Sequence, residues 1–238
     1  MNEIPDYHLK ANKTPKDKAL VVLSGGQDSV TCLLWALDVF SEVQAITFDY
    51  AQRHRVELIC AKSVCQQVGV KQKVVDMSHI SQVSLSALVG DGDVSAAHTL
   101  HPELPASYVP NRNAMLLTAA HAWAQAIGFG TIVTGVCQTD YSGYPDCRHD
   151  FIETLNDALN LGSNSKIIIQ APMMYLNKAQ TFYLANDLGG LDFVIENSHT
   201  CYEGDRRVRH PWGYGCGECP ACKIRAAGYE KFLVKDFT

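Results

Sequence analysis

The sequence predicts an α/β fold: a Rossmann-like parallel sheet with helices on both faces, followed by a C-terminal metal-binding helical region. Three observations support this prediction. Short apolar runs alternate with longer runs of helical periodicity along most of the 238 residues, which is typical of a parallel sheet covered on both sides. A glycine turn joins the first apolar run to the first helical run. Four cysteines with metal-ligand spacing lie near the C-terminus.

The individual elements follow from apolar periodicity and from the turn residues between them. Glycines after two of the helical runs, Gly69 and Gly128, are C-cap signals. We predict strands at 18–23, 45–48, 73–76, 131–136 and 167–169. We predict helices at 28–40, 56–68, 82–88, 114–127, 150–161 and 178–188, and a further helical run after Cys219.

The same features predict the domain organisation. Residues 1–17 are expected to be a flexible N-terminal extension, residues 18–198 the main α/β domain, and residues 199–238 a four-cysteine region packed on it. Ligands of parallel sheets bind at the carboxyl ends of the strands. The turn after the first strand and the loop at 137–149 both follow strands, so we expect them to face one cleft.

Composition and charge narrow the classes of function. The net charge of −5 argues against a protein that binds nucleic acid non-specifically, since such proteins are normally basic. The charge is uneven, with −7 on residues 1–198 and +2 on residues 199–238. No apolar stretch is long enough to span a membrane, and the polar N-terminus is unlike a signal peptide. We therefore expect a cytoplasmic protein whose nine cysteines are not paired in disulfides.

The turn after the first strand has the features of a phosphate site. Its residues are Leu23, Ser24, Gly25, Gly26, Gln27, Asp28 and Ser29. Unpaired backbone N–H groups and the positive end of the helix dipole attract anions, and the glycines let a phosphate approach the backbone. Asp28 is a candidate ligand for Mg²⁺, which would neutralise phosphate charge. The sequence lacks a Walker lysine and a dinucleotide-binding G-x-G-x-x-G, and the alternative is a turn that merely caps the helix.

The cysteine spacing predicts a metal centre. Cys201, Cys216, Cys219 and Cys222 are separated by 14, 2 and 2 residues. Four thiolates suit tetrahedral zinc, and a shell closed by four sulfurs predicts one structural Zn²⁺ per chain. An iron–sulfur cluster uses the same number of ligands, and a redox pair of the Cys-x-x-Cys type is a further alternative.

Several strings carry a family resemblance. The Leu23–Ser29 segment resembles the pyrophosphatase loop (PP-loop) of the N-type ATP pyrophosphatases, which cleave ATP between the α and β phosphates. The other strings are Phe48-Asp-Tyr-Ala-Gln-Arg-His54 with Glu57, Val109-Pro-Asn-Arg-Asn113, Asp140-Tyr-Ser-Gly-Tyr-Pro-Asp-Cys-Arg148, and Ala171-Pro172 leading to Lys178. With these strings the chain resembles the 7-cyano-7-deazaguanine synthase family from about residue 19 to the C-terminus.

The resemblance implies an ATP-dependent ligase. ATP would adenylate the carboxylate of 7-carboxy-7-deazaguanine, and ammonia would displace AMP to give an amide. A second ATP would activate the amide oxygen, and loss of AMP would leave the nitrile. Activation is needed because a carboxylate has no good leaving group, whereas AMP leaves readily. The enzyme then mainly positions the reactants and stabilises the charge of pyrophosphate.

The resemblance also suggests site residues. Asp140 or Asp146 would accept from the N–H edge of the ring, Tyr141 or Tyr144 would stack on it, and Arg148 would pair with the carboxylate. The expected catalytic residues are Ser24, Asp28, Ser29 and Lys178, and those of the ATP site are Leu23–Ser29 and Arg112. The expected substrate-binding residues are Tyr50, Arg53, Asp140, Tyr141, Tyr144, Asp146 and Arg148. Asn113 is either the N-cap of the helix that follows it or a ligand contact.

The expected partners are ATP, 7-carboxy-7-deazaguanine and ammonia, either free or delivered by another protein. The resemblance suggests a homodimer, and we expect neither membrane association nor stable binding of nucleic acid. Two other classes remain open. A tRNA-modifying enzyme of the same loop class would adenylate a base, but such enzymes usually add a basic RNA-binding domain. A non-catalytic nucleotide-binding module with a zinc ribbon would dock partner proteins.

Overall fold

The structure is a computed structural model that describes residues 17–52, 55–82, 108–139 and 144–237. The strands in these ranges are β1 (Lys18–Val22), β2 (Glu42–Asp49), β3 (Lys71–Asp76), β4 (Thr131–Val133), β5 (Ile168–Gln170), β6 (Arg209–His210) and β7 (Gly213–Tyr214). The helices are α1 (Gln27–Val39), α2 (Val56–Val68), α3 (Arg112–Ile127), α4 (His149–Ser163), α5 (Lys178–Asp187), α6 (Leu191–Asn197) and α7 (Pro220–Leu233). None of the helices in these ranges is both long and apolar enough to cross a bilayer.

Five strands form one parallel sheet in the order β3-β2-β1-β4-β5. The chain builds outward from β1 to β3, then returns to place β4 on the other side of β1. Because the direction of winding reverses between β1 and β4, a crevice opens outside the carboxyl ends of these two strands. The predicted Rossmann-like parallel sheet is confirmed, and the turn at Ser24–Ser29 lies at this crevice.

Helices cover both faces of the sheet, as the sequence predicts. Alternate residues of a strand point to opposite faces. Ala19 and Val21 of β1 therefore pack in one apolar layer with α1, α2, α5 and α6, whereas Leu20 packs in the other with α3 and α4. All three side chains are fully buried. This two-sided core fixes β1, and with it the start of the phosphate-site turn.

The four-cysteine region packs on α5. Phe182 of α5 is fully buried in a third apolar cluster that includes Trp212 and three of the cysteines. Its ring meets Tyr229 of α7 edge-on, with 5.2 Å between centroids. The predicted helical run after Cys219 is α7, and its apolar side attaches it to the main domain.

The predicted bounds of the helices are most accurate where a C-cap glycine ends the helix. α2 spans 56–68 as predicted, and Gly69 and Gly128 end α2 and α3 in the left-handed conformation. β4 was predicted to reach residue 136 but ends at Val133. The N–H of Thr134 still donates to Gln170 O of β5, and residues 134–138 line the crevice. The α6 helix was not predicted, since its seven residues give little periodicity. A helix was expected at 82–88. The structure has a 3₁₀ turn at Ser78–Gln82, and residues 83–88 lie outside the described ranges.

Candidate active site

A cavity of about 310 Å³ occupies the crevice at the carboxyl ends of β1 and β4. Its size matches the lower end of small-molecule sites. One wall is the turn that runs from Ser24 to Ser29, and another is the segment from Thr134 to Gln138 after β4. The predicted cleft is thus shared by the phosphate-site turn and the start of the 137–149 loop.

The phosphate-site turn closes on the hydroxyl of Ser29. This oxygen accepts hydrogen bonds from the backbone N–H groups of Ser24 (3.2 Å) and Gly25 (3.1 Å). The N–H group of Gly26 donates to Ser24 Oγ at 3.2 Å. These three N–H groups are therefore paired within the turn. The amides that remain for an anion are those of the first turn of α1, because they have no partner inside the helix.

Gly25 is required by both its conformation and its surroundings. Its φ of +94° is one that L side chains rarely adopt. A Cβ atom there would lie 2.2 Å from the carbonyl oxygen of Glu57 and 2.9 Å from the backbone nitrogen of Ala61. The first turns of α2 therefore press directly against the phosphate-site turn.

Lys178 and Asp28 meet in the cavity, although 150 residues separate them. Lys178 Nζ donates to Asp28 Oδ2 at 2.5 Å. Lys178 is the first residue of α5, whose start is fixed by a capping box between Asn177 and Gln180. The predicted association of Lys178 with the phosphate-site turn agrees with this geometry.

The cavity wall contains buried polar atoms with no hydrogen-bond partner among the described residues. They belong to Gln27 (Oε1 and Nε2), Asp28 (Oδ1) and His199 (both ring nitrogens). Such atoms are costly unless a ligand or water satisfies them. A carboxylate oxygen beside the amides of a helix N-terminus is a suitable donor set for Mg²⁺ and phosphate. Burial lowers the pKa of His199 to about 4, so its ring is neutral at pH 7.

A second part of the cavity wall is aromatic and cationic. The guanidinium of Arg112 lies 5.8 Å from the ring centroid of Tyr50 and 5.9 Å from that of Tyr144. Glu57 lines the cavity nearby. Burial raises the pKa of Tyr50, so its hydroxyl keeps its proton. These side chains, called the aromatic slot below, combine aromatic faces with a cation, and such a lining suits a planar heterocycle.

The remaining predicted residues are placed differently. Asp146 is buried, and its Oδ2 accepts a hydrogen bond from the backbone N–H of Asn113 at 2.9 Å. The carboxylate of Asp146 thus caps the start of α3 from a distant part of the chain. The helix starts at Arg112, so the N-cap expectation for Asn113 is wrong; its side chain donates to Asp146 O and Cys147 Sγ. Arg148 is exposed at the N-cap of α4 and is not part of the described cavity wall. Three predicted residues lie outside the described ranges: Arg53, Asp140 and Tyr141.

The four cysteines come together as predicted. Their sulfurs all lie within 4.8 Å of one another, with 3.9 Å between Cys216 and Cys222 and 4.0 Å between Cys201 and Cys219. Metal–sulfur bonds of about 2.3 Å in a tetrahedron would separate the sulfurs by about 3.8 Å. Hydrogen bonds from the Cys219 and Cys222 thiols lower the pKa of Cys201. The cluster therefore fits one tetrahedral metal ion.

The cysteine region also forms part of the cavity wall. The backbone N–H group of His199 donates a hydrogen bond to the backbone carbonyl oxygen of Gly25 at 2.9 Å. Arg225 of α7 is 1% exposed, lines the cavity and donates to Ser198 Oγ at 2.9 Å. One turn further along α7, Gly228 packs against Lys178. The phosphate-site turn and the four-cysteine cluster are thus parts of one packed unit.

Comparison with known proteins places the chain in a family. Residues 18–233 match the family model described as "Queuosine biosynthesis protein QueC". The chain is 53% identical to the 7-cyano-7-deazaguanine synthase of Wolinella succinogenes, over 90% of this chain and 93% of that protein. The chain belongs to the QueC family. A second QueC relative, the 7-cyano-7-deazaguanine synthase of Lysinibacillus sphaericus, is 47% identical over 92% of this chain and 96% of its own length.

Solved structures give a more distant likeness to this QueC protein. A U34-tRNA thiolase from Methanococcus maripaludis, solved with its [4Fe-4S] cluster, aligns with a TM-score of 0.44 and 14% identity. The alignment covers 93% of this chain and 65% of the thiolase. A likeness at this level carries no argument about the activity or the metal of this QueC protein.

The sequence did not predict that Glu57, His199 and Arg225 line the cavity. Glu57 is part of one of the strings that carry the resemblance, but its type and position alone do not indicate a role. His199 and Arg225 flank the cysteines in sequence, and this was the available signal that the metal region reaches the cavity. Their contacts depend on how α7 packs on α5, which no local pattern specifies.

Proposed function

We propose that this QueC protein converts 7-carboxy-7-deazaguanine and ammonia to 7-cyano-7-deazaguanine, using two molecules of ATP and releasing AMP and pyrophosphate. The reaction would supply a precursor of queuosine. The observation that carries the proposal is the 53% identity to a protein named for this product, over 90% of the chain. The cavity is consistent with it, because phosphate-binding groups and a slot for a planar ring share one space.

On the ATP side, the first-turn amides of α1 and the hydroxyls of Ser24 and Ser29 would bind the phosphates. Asp28 would hold Mg²⁺, which neutralises charge on pyrophosphate as it leaves. Lys178 would then release its hydrogen bond to Asp28 and bind a phosphate oxygen instead. Its position in the cavity allows this change of partner. The residues proposed for ATP binding are Leu23–Ser29 and Arg112.

On the substrate side, Tyr50 and Tyr144 would enclose the deazaguanine ring, with Arg112 at its edge. Asp146 would act through Asn113 and Cys147, which line the cavity. Arg53, Asp140, Tyr141 and Arg148 remain proposed on the resemblance alone. Bound in this slot, the substrate carboxylate would face the α-phosphate, which is the positioning that adenylation requires.

The four cysteines would hold one structural Zn²⁺, since a closed shell of sulfurs leaves no position for substrate. We propose that the protein acts as a homodimer in the cytoplasm, where ATP is available and thiols stay reduced. Ammonia would enter as the free molecule or from a partner, and no stable binding of nucleic acid is expected.

The test is pyrophosphate release by the purified protein with ATP, Mg²⁺ and ammonia. Release that depends on 7-carboxy-7-deazaguanine, together with the nitrile detected by mass spectrometry, would support the proposal. Release with tRNA instead, combined with salt-sensitive tRNA binding, would favour a tRNA-modifying enzyme. No release with the acid would refute the proposed function.

A further inference from the structure

Two acids line the described cavity, and they differ in their partners. Asp28 is paired with Lys178. The carboxylate of Glu57 forms no hydrogen bond or ion pair with any residue in the described ranges. Within the described ranges, Arg112 acts on this carboxylate only through its charge, so Glu57 is available to act on a ligand in the cavity.

The backbone places Glu57 between the two halves of the site. It lies in the first turn of α2, and its backbone carbonyl oxygen would clash with a Cβ atom on Gly25. Glu57 lines the same cavity as Arg112 and Tyr50 of the aromatic slot, and its carboxyl interacts electrostatically with both residues. Glu57 is therefore next to both the phosphate-site turn and the proposed position of the ring.

The proposed reaction needs a base at such a point. The amide nitrogen carries two protons and the nitrile carries none. One proton passes to water when the amide oxygen attacks ATP, which leaves a neutral imidate ester of AMP. In the last step this imidate must lose its remaining N–H proton and AMP. The N–H bond breaks, and its electron pair forms the third carbon–nitrogen bond. The bond from carbon to the AMP oxygen breaks, and that pair leaves with AMP. The proton must pass to an acceptor within hydrogen-bonding reach of the nitrogen.

We propose that Glu57 is the catalytic base that takes this N–H proton as AMP leaves and the nitrile forms. The inference rests on the proposed function and adds a residue to it. The other acid, Asp28, is unsuited because it would be bound to Lys178 or Mg²⁺. Adenylation of the acid needs no such base, because a carboxylate attacks ATP without losing a proton.

The electrostatics of Glu57 agree with this role. Burial raises its pKa to about 7, while Arg112 acts in the opposite direction. Among the described residues, Tyr50 and Cys60 are the other titratable groups that interact with it. A base with a pKa near the working pH combines a usable ionised fraction with good proton affinity.

The experiment compares wild type, Glu57→Gln and a control, Glu153→Gln, an exposed acid on α4. Adenylation is measured without ammonia, as exchange of labelled pyrophosphate into ATP that depends on 7-carboxy-7-deazaguanine. Nitrile formation is measured separately from the synthetic amide and ATP. We expect Glu57→Gln to keep exchange within about threefold but to lose nitrile formation by about 10²-fold or more, the range for a general base.

The pH profile supplies a second readout. Wild-type nitrile formation should rise with pH through about 7, and Glu57→Gln should lose that rise. Nitrile formation by Glu57→Gln within threefold of wild type would overturn the inference. An equal loss of exchange and nitrile formation would also overturn it, since that result indicates a structural role. If wild type itself shows no exchange with the acid, the proposed function fails instead.

Discussion

The Gly25→Ala substitution tests whether α2 presses on the phosphate-site turn as described. The new methyl group would stand 2.2 Å from the carbonyl oxygen of Glu57, well inside contact distance. The obstacle is backbone, so no side-chain rotation can relieve it. The residue would also keep a φ of +94°, which is strained for alanine.

The two effects can be added to an approximate cost. A left-handed conformation costs an L residue about 1–2 kcal/mol. Forcing an extra methyl group into a packed site costs about 1–3 kcal/mol. The sum of about 2–5 kcal/mol is a large part of the total stability of about 5–15 kcal/mol that is typical of a domain. Part of this cost would be avoided if the turn moves, and the ATP site would then be displaced.

Chemical denaturation of wild type and Gly25→Ala at equal metal content measures the cost. Gly162→Ala is the matched control, because no atom lies within 4 Å of its Cβ and it is in a helix, where alanine is favoured by about 0.5–1 kcal/mol. We expect opposite signs for the two variants. A Gly25→Ala protein within 0.5 kcal/mol of wild type that also binds ATP normally would refute the packing described for the turn.

Three further predictions concern the site. Asp28→Ala should abolish pyrophosphate release while leaving the thermal midpoint near that of wild type; an active variant would remove Asp28 from its proposed role. Cys219→Ser should lower bound metal and the thermal midpoint together, because metal binding is coupled to folding; unchanged metal stoichiometry by elemental analysis would contradict the four-cysteine site. Glu57 makes stability depend on pH: its pKa is raised from 4.5 to about 7, so the folded state holds the proton more tightly and stability falls as pH rises between these values. Denaturation of Glu57→Gln at several pH values should lack this fall, and an unchanged pH dependence would argue against a buried carboxyl.

The fold could be predicted where the signal is local. The α2 helix was bounded correctly because its periodicity ends at Gly69, whose left-handed conformation stops a helix. The order of strands in the sheet is not local, since the position of β4 beside β1 depends on the long return from β3. The start of α3 is also not specified locally, because the residue that caps it, Asp146, lies 33 residues from Asn113 in the sequence.

The candidate site likewise contains parts that local sequence motifs predict and parts that depend on packing between distant elements. The phosphate-site turn and the four cysteines are sequence motifs, and both were identified from spacing. The pairing of Lys178 with Asp28 and the burial of Arg225 depend on the packing of α5 and α7, so the sequence gives little sign of them. Arg148 illustrates the converse, since it belongs to a specific string yet its side chain is exposed outside the described cavity wall.

The α7 helix connects the four-cysteine cluster to the cavity wall. Cys219 is its N-cap and Cys222 lies in its first turn. Further along the helix, Arg225 lines the cavity and Gly228 packs against Lys178. Metal that fixes α7 would therefore act as an allosteric effector of the nucleotide site. Such coupling is reciprocal, so nucleotide would tighten metal binding by the same factor. Under the proposed function, loss of the metal would therefore weaken ATP binding as well as the stability of the fold.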